Sequence, residues 1–594
     1  MTTSAAAPPA WVNWVMPIVI VAAIAAAYAD SLQGPFIFDD YNAVLSNTHV
    51  RSVFPLRTSM SEDPGTVLNG RPLTCLSMAL NYHFAPQIVM EGSTVPSPVG
   101  FHLFNLGTHI ACALLLFGVL RRTMLMPRWE HRFDSCASIF SGAVTLIWAL
   151  HPLQTEAVTY ITQRTETMMA MFLLLVLYAL ARAAESRDPI GWWILAVIAC
   201  AAGMASKEVM VVAPFLAALY VWVFLPGESS WRDRILFLCL MLLICPGLVL
   251  LYAFNYVFLQ SDDRPALSAL CWILAVTIPL IGWLLFTRNS RGRYLCLLAL
   301  FLTMIIIPIE LHGADLASKS GYGLSYVGRI PYLRTQAIII HYYLWLTIWP
   351  RGLVIDYFDW PIIWYWWPPK AIFTSNHVLW DQIKYFLGWL VPSVVLTVAL
   401  VASVIGCILR RWEGFLGAWF FLILGPTSSF LPNFTEIAAE RRMYLPIASV
   451  IIFVLAFVWG KLAGRVKPFL IAVGVTAGVL GIVTYARNSV YQSSLSIWTD
   501  AYEKRPANPR VIFFLGLAYY AQNDWSNARL YDEMSLAILP NFRPANVLQG
   551  YIRTKAGDRT AVQSGGVLLN PSIDPLRAPG GSFPNVPNTI DRPD

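Results

Sequence analysis

Short polar breaks divide this chain into apolar runs of membrane length. Stretches of about 20 apolar residues cross a hydrocarbon core of roughly 30 Å. They recur near residues 12–29, 100–120, 136–150, 167–184, 190–206, 209–225, 235–254, 266–287, 294–309, 385–409, 413–431, 443–460 and 468–486. The pattern predicts an all-α polytopic membrane protein, a bundle of about 13 transmembrane helices. Composition supports the pattern. Of 594 residues, 57% are hydrophobic and 13% charged, about half the charge of a soluble domain. AAAYAD, after the first run, offers a cleavage-like site, but no positive segment precedes it, so an uncleaved first span is expected.

The polar breaks carry orientation. RRTMLMPRWEHR (121–132), RNSRGR (288–293), RR (410–411) and KLAGRVK (461–467) are basic loops, and the positive-inside rule places them in the cytoplasm. Counting spans then brings FDD (38–40), HPLQTEAVTYITQRTE (151–166), SKE (206–208) and ERRMYLP (440–446) to the opposite face. The run AIIIHYYLWLTIWP (337–350) breaks this count if it spans, and is read as an interfacial or re-entrant helix. Its aromatic neighbour DYFDWPIIWYWWPP suits the headgroup level, and the aromatics of 357–367, with Trp366 and Trp367, are expected to cover a lipid or an acceptor.

After the last span the chain becomes soluble in character. Gly516, Tyr519, Ala528 and Pro540 sit at the offsets of a tetratricopeptide repeat, and Gly550 follows Gly516 by one 34-residue period. One good copy and a fragment cannot stand alone, so this small helical region must lean on something else. The expected domains are 1–487, a transmembrane catalytic unit with external loops 30–99 and 310–384; 488–555, the repeat-like helices; and 556–594, a Gly/Pro/Ser/Asn-rich disordered tail.

The net charge of +7 is spread over short loops and forms no basic patch, which argues against nucleic acid. Cys200, Cys239, Cys245, Cys271, Cys296 and Cys407 lie inside apolar runs without metal-ligand spacing and read as small core residues. The acidic pair Asp39–Asp40 carries more chemistry. Adjacent carboxylates repel, and near apolar surroundings at least one pKa rises, which suits a general base for a hydroxyl; facing water beyond a span is the alternative. A continuous helix over 151–166 would set Glu156, Tyr160 and Gln163 on one face with Arg164 close by. Glu156 and Arg164 would then each hold something else. His151 either belongs to this face or shapes the turn before Pro152. Lys207 and Glu208 occupy a tight gap between spans, where a snorkelling Lys is the bland reading. Arg441 and Arg442 open a span, where a guanidinium grips a phosphate bidentately or simply anchors the interface. Paired acids and several cations on one membrane face fit a lipidic, anionic substrate such as a lipid-linked phosphosugar.

FIFDD, GRPLTCLSMALNY, FHLFNLGTHI, HPLQTEAVTYITQRTE, SKE and ERRMYLP, in this order and followed by repeat-type helices, resemble the transmembrane-and-tetratricopeptide (TMTC-type) O-mannosyltransferases. These belong to the GT-C superfamily of polyprenyl-phosphate-dependent glycosyltransferases. The resemblance runs from about 36 to 555. It implies a GT-C type bundle that takes a sugar, a hexose such as mannose, from a polyprenyl-phosphate donor on the non-cytoplasmic face. The acceptor would be a hydroxyl, Ser or Thr of exported proteins, with inversion as the typical course. Asp39 matches the acid proposed as base in related enzymes, with Asp40 beside it. Arg441 matches a motif arginine that would hold the donor phosphate, with Lys207 and Arg164 as weaker candidates. Glu156 would orient the acceptor or a cation, and Arg71, His151, Glu208, Arg442 and Tyr444 would bind substrate or support the site. Some GT-C enzymes need a divalent cation (Mg or Mn) and others do not; Asp39, Asp40 and Glu156 are the candidate ligands. A protein acceptor would touch the repeat-like domain. The short repeat region, set against the many repeats of animal members, points to a bacterial inner membrane, with the active site and C-terminus in the periplasm.

Three rivals remain at this level. A lipid-linked sugar transporter would need polar residues in mid-span or interrupted helices, and only His109, Asn255 and Glu310 come near that. A ligase or polymerase acting on an envelope glycan or lipid would use the same motifs. A scaffold would leave the acids and cations without a role. The sequon at Asn433 decides nothing about compartment, and neither the sugar nor the oligomeric state is legible.

Overall fold

The computed structural model describes residues 11–61, 66–90, 93–130, 132–225, 329–362, 378–429, 436–462 and 464–555. The expected spans at 235–254, 266–287 and 294–309, the residues Asn255, Glu310, Trp366, Trp367 and Asn433, and the tail 556–594 lie outside the described residues.

Apolar runs of the expected length become helices at nearly the expected bounds: α1 (Val12–Ala27), α3 (Val99–Met124), α4 (Ala137–Ala149), α5 (Arg164–Glu185), α6 (Ile190–Met204) and α7 (Ala213–Phe224), while α2 (Pro72–Phe84) forms inside the expected external loop 30–99. Among the described residues, four helical stretches are long and apolar enough to cross a membrane by length and composition: Val99–Met124, Ile161–Glu185, Ile383–Ile408 and Val466–Val490. With the shorter apolar helices between them, this is a multi-pass membrane protein. Among the described residues the departure from all-α is one antiparallel hairpin, β1 (Gln87–Met90) with β2 (Ser93–Pro96), in which Gln87 faces Pro96.

Antiparallel packing sorts the polar breaks to two ends. At one end Arg122 pairs with Glu185, Arg410 Nη2 donates to Leu225 O at 2.7 Å, and Trp222 Nε1 donates to Cys407 O at 2.9 Å. These contacts gather basic loops that are far apart in sequence. The opposite end collects the motif residues described below. Ile161–Glu185 runs through the middle and is mostly buried, whereas Ile383–Ile408 and Val466–Val490 expose Val394, Val398, Val401, Ile471, Val475 and Ile482 on the outside. On helices of this length, apolar surface of that kind fits contact with lipid. His109, the mid-span polar residue that a transporter would need, bonds Tyr444 Oη at 2.7 Å through Nδ1 and Ala149 O at 3.1 Å through Nε2. It is a satisfied core histidine.

The run at 337–350 belongs to a longer helix, α8 (Arg329–Ile348). Near its start Tyr332 Oη donates to Thr427 O at 3.0 Å, and Gln336 Nε2 donates to Ile437 O at 2.8 Å. Near its end Thr347 O accepts from His151 Nε2 at 3.0 Å. All these partners sit at the motif end of the bundle, so α8 lies across that end and not through it. Beyond it come α9 (Val378–Ile408), α10 (Trp412–Leu424), α11 (Pro446–Lys461) and α12 (Val466–Val490).

Four amphipathic helices close the described chain: α13 (Ser494–Lys504), α14 (Pro509–Ala521), α15 (Trp525–Ile538) and α16 (Arg543–Lys555). The first three begin where the sequence supplies a cap. Ser493 accepts from Ser496 N–H, Asn508 from Arg510 and Val511 N–H, and Asp524 from Asn527 N–H. Gly516 allows α14 and α15 to approach, since a Cβ there would stand 3.2 Å from Ala528 O. These helices do not stand free. Lys504 Nζ donates to Leu353 O at 3.0 Å, Arg505 pairs with Asp359 at 2.9 Å, and Arg510 grips Asp356, which fixes the cap to the loop after α8.

Candidate active site

The two acids of FDD take different places. Phe38 has φ 49°, in the left-handed region, which costs a residue with a Cβ about 1–2 kcal/mol. The bend turns the next two side chains apart. Asp40 is fully buried; its Oδ2 accepts from Ile37 N–H at 3.1 Å and its Oδ1 from Thr162 N–H at 2.9 Å. Both oxygens are thus spent tying the first external loop to the 160–163 turn. Burial pushes the carboxyl up to about 7, against the two backbone N–H groups that favour its charge. The structure therefore corrects the catalytic expectation for Asp40, which is a bracket.

Asp39 is only half-buried. Its backbone N–H donates to Tyr160 Oη at 2.9 Å, and its carboxylate stands beside the same hydroxyl and in the field of Glu436, Arg441 and Arg510. Burial first, then the nearby Glu436 charge, raises this carboxyl to about 6; the Tyr160 hydroxyl and the cations Arg441 and Arg510 oppose the shift. A carboxylate held near neutrality and open to one side has the features of a general base.

The segment 151–166 is not one helix. A 3-10 turn (Pro152–Gln154), a short α turn (Thr155–Thr159) and a second 3-10 turn (Ile161–Gln163) precede α5. Pro152 opens the segment, and the extended Tyr160 (ψ 116°) breaks it, so the expected common face of Glu156, Tyr160 and Gln163 does not form. His151 shapes the start: its Nδ1 accepts from Leu153 N–H at 3.2 Å while Nε2 holds Thr347 O. Burial lowers its pKa to about 4, so it stays neutral in a structural role.

Glu156 faces Arg441. Its Oε2 accepts from Arg441 N–H at 2.9 Å and its Oε1 pairs with the guanidinium, whose other nitrogen pairs with Glu436. Glu156 is buried, whereas the Glu436 side chain keeps 26% exposure. Arg441 and Arg442, opposing desolvation, hold Glu436 down to about 2. One cation thus stands between a fixed acid and an accessible one. Arg442 donates to the carbonyls of Ile437 and Glu436 and so shapes the loop that presents Arg441. Glu440 accepts from Tyr357 Oη at 2.6 Å and from Val354 N–H, and burial raises it to about 7. Tyr444 lies deeper, with its carbonyl accepting from Trp148 Nε1 at 2.8 Å; it supports the site without entering it.

The other proposed cations are engaged elsewhere. Arg164 is fully buried, donating to Asn105 Oδ1 at 3.1 Å, Asn81 Oδ1 at 2.7 Å, Ser77 Oγ at 3.3 Å and Phe101 O at 3.1 Å, with the Phe104 ring 4.5 Å away. A phosphate could reach it only by dismantling this network, so the expected phosphate role is corrected to a structural one. Asn105 in turn donates to the carbonyls of Val158 and Ile161, both at 3.2 Å, and so steadies the turn that carries Tyr160. Lys207 pairs with Glu166, and Arg71 pairs with Glu208 at 3.0 Å. These two ion pairs join α2, α5 and the α6–α7 junction as a second polar cluster, separate from the Glu156–Arg441–Glu436 group. Asp39, Asp40 and Glu156 do not form a ligand set, since Asp40 and Glu156 spend both oxygens on backbone and guanidinium. Among the described residues no three His, Cys, Asp or Glu side chains gather to hold a metal ion.

Sequence reasoning missed Glu436, Tyr160 as a partner of Asp39, and the Asp356–Arg510 pair. Glu436 lies four residues before ERRM and carried no motif signal. Asp356 and Arg510 meet across 154 residues, a distance that no local pattern reveals.

A family model described as dolichyl-phosphate-mannose-protein mannosyltransferase matches residues 107–253. Protein O-mannosyl-transferase Tmtc2 of Drosophila melanogaster is 30% identical over 269 residues, 42% of this chain and 26% of that protein. Protein O-mannosyl-transferase TMTC4 of Homo sapiens is 28% identical over 232 residues, 34% of this chain and 28% of that one. The matched stretch spans about a quarter of the length of these curated relatives. Among solved structures, the Archaeoglobus fulgidus oligosaccharyltransferase in the apo form aligns over 81% of this chain and 56% of its own, at 10% identity and a TM-score of 0.38.

Proposed function

We propose, on the premise of this similarity to the O-mannosyltransferases, that the chain is a GT-C type glycosyltransferase. It moves mannose or a similar hexose from a polyprenyl-phosphate donor to a Ser or Thr hydroxyl of exported proteins, in the inner membrane of a bacterium with the site on the periplasmic face. The observation that supports this reading most is the placement of a half-buried carboxylate, Asp39, in the field of Arg441, at the end of the bundle away from the basic loops.

The chemistry follows from that placement. Asp39 takes the proton of the acceptor hydroxyl as its oxygen bonds the anomeric carbon. The bond from that carbon to the phosphate oxygen breaks, and its electron pair leaves with the lipid phosphate. Arg441 stabilises the growing charge. Glu156 keeps the guanidinium in place, while the more exposed Glu436 yields its position to the incoming phosphate. Lys207, expected to share the phosphate, remains a supporting residue of the neighbouring cluster, with Arg71 and Glu208.

Three strains test the proposal: one with the gene, one without it and one carrying Asp39→Asn. Loss of a hexose-sized mass from exported proteins in both the deletion and the variant supports it. Unchanged protein masses with an altered envelope glycan move the acceptor to a glycan or lipid. No change in either refutes the transferase.

A further inference from the structure

Phe38, beside Asp39, is held from the other side by the C-terminal helices. Its ring meets Phe514 edge-on at 5.0 Å (84°) and Trp498 at 5.9 Å (72°), and those two rings stack on each other at 4.5 Å. The guanidinium of Arg510 lies 5.4 Å from the Phe38 ring centre. Arg510 is itself locked, with Nε donating to Asp356 Oδ2 at 2.6 Å and a second nitrogen pairing with Oδ1. Asn508 caps the same helix through Arg510 N–H and reaches Asp356 O at 3.4 Å. A phenylalanine in a left-handed conformation persists only where its surroundings over-determine it. Here the Tyr160 ring of the bundle stands 6.3 Å away on one side, and the closer ring contacts come from α13 and α14, more than 450 residues downstream.

We infer that α13 and α14 are a working part of the site: Arg510, clamped by Asp356, and the stacked Trp498–Phe514 pair are positioning residues that fix Phe38 and so aim the Asp39 carboxylate. The inference rests on the reading of Asp39 as the base. The cap is then no separable tether for an acceptor, because the base is misaimed without it. Asp39 is also faced by Glu436 and Arg441 from the loop before α11 and by Tyr160 from the turn before α5. Arg510 is the charge that the cap adds.

The test uses the full chain in lipid nanodiscs. Label uptake at Asp39 from dicyclohexylcarbodiimide, which reacts with protonated, accessible carboxyls, is read by mass spectrometry between pH 5 and 8. Transfer from dolichyl-phosphate mannose to a Ser/Thr peptide pool is measured alongside. Arg510→Ala removes a neighbouring cation and is expected to move the labelling midpoint up by about one pH unit, with kcat down about tenfold and donor KM unchanged. Arg510→Lys returns the midpoint towards wild type. Phe514→Leu keeps the apolar volume but loses the ring edge; it raises labelling at pH 7 and lowers kcat, and it decides the matter if Arg510→Ala fails to fold. Arg529→Ala, exposed on α15, changes neither readout. Wild-type labelling and kcat in folded Arg510→Ala and Phe514→Leu would overturn the inference. If Asp39→Asn keeps full transfer, the base reading falls by itself, whereas the labelling shifts still report positioning.

Discussion

At the residue scale, the two halves of one acidic pair separate by where their oxygens point. Asp40 accepts two backbone N–H groups in full burial, so Asp40→Asn leaves at least one amide poorly met. A loss of about 1–3 kcal/mol is expected, seen as a lower melting temperature, with residual transfer in the fraction that folds. Glu436→Gln has the opposite character. It frees Arg441 of one competing carboxylate and removes a charge that raises Asp39. The donor KM should fall, and the acid limb of the pH–rate profile should move to lower pH. A raised KM would show that Glu436 holds Arg441 for the phosphate and does not compete with it.

At the element scale, apolar periodicity found the helices because lipid and core impose the same rule on every span, and the bounds of α3, α4, α5 and α12 followed from it. It failed where irregular backbone carries the chemistry. The 151–163 segment opens at Pro152 and breaks at the extended Tyr160, which leaves Glu156 against Arg441 and Thr162 N–H against Asp40. Helix α8 was legible as unusual, but its length and its run across the end of the bundle depend on partners at Thr427, Ile437 and His151 that a linear pattern cannot show. In the cap, Gly516 marked the right contact. Gly516→Ala would press a Cβ to 3.2 Å from Ala528 O and 3.3 Å from Asp532 N. Those neighbours are backbone atoms of α15, and the strain of shifting them opposes the ~1 kcal/mol that Ala gains over Gly inside a helix. A net cost of about 1 kcal/mol is expected, measurable as earlier melting of the purified chain.

At the scale of the whole molecule, the described basic loops around Arg122, Arg128 and Arg410 gather at one end and the motif residues at the other, while RNSRGR (288–293) lies outside the described residues. What stayed hidden was long-range pairing. Arg164 read as a free cation and proved to be a buried strut, while Arg441 read as a free cation and proved to be shared between two acids. Asp356 and Arg510, unremarkable in sequence, join the cap to the bundle. A buried pair of this kind is costly to break singly, about 3–5 kcal/mol. Asp356→Ala should therefore loosen the cap from the bundle, with faster proteolysis between α12 and α13, and lower transfer at the same time.

The central claim is that Asp39 is the base. Its most direct test is the transfer rate of purified wild type and Asp39→Asn across pH 5 to 8, at saturating donor. A base whose pKa is raised to about 6 is protonated and idle below that pH, so the wild-type rate should climb through a midpoint near 6 and level above it. The variant should fold normally and run at least about 100-fold slower, with that midpoint gone. A variant that keeps the wild-type rate and midpoint would contradict the account and place the base elsewhere.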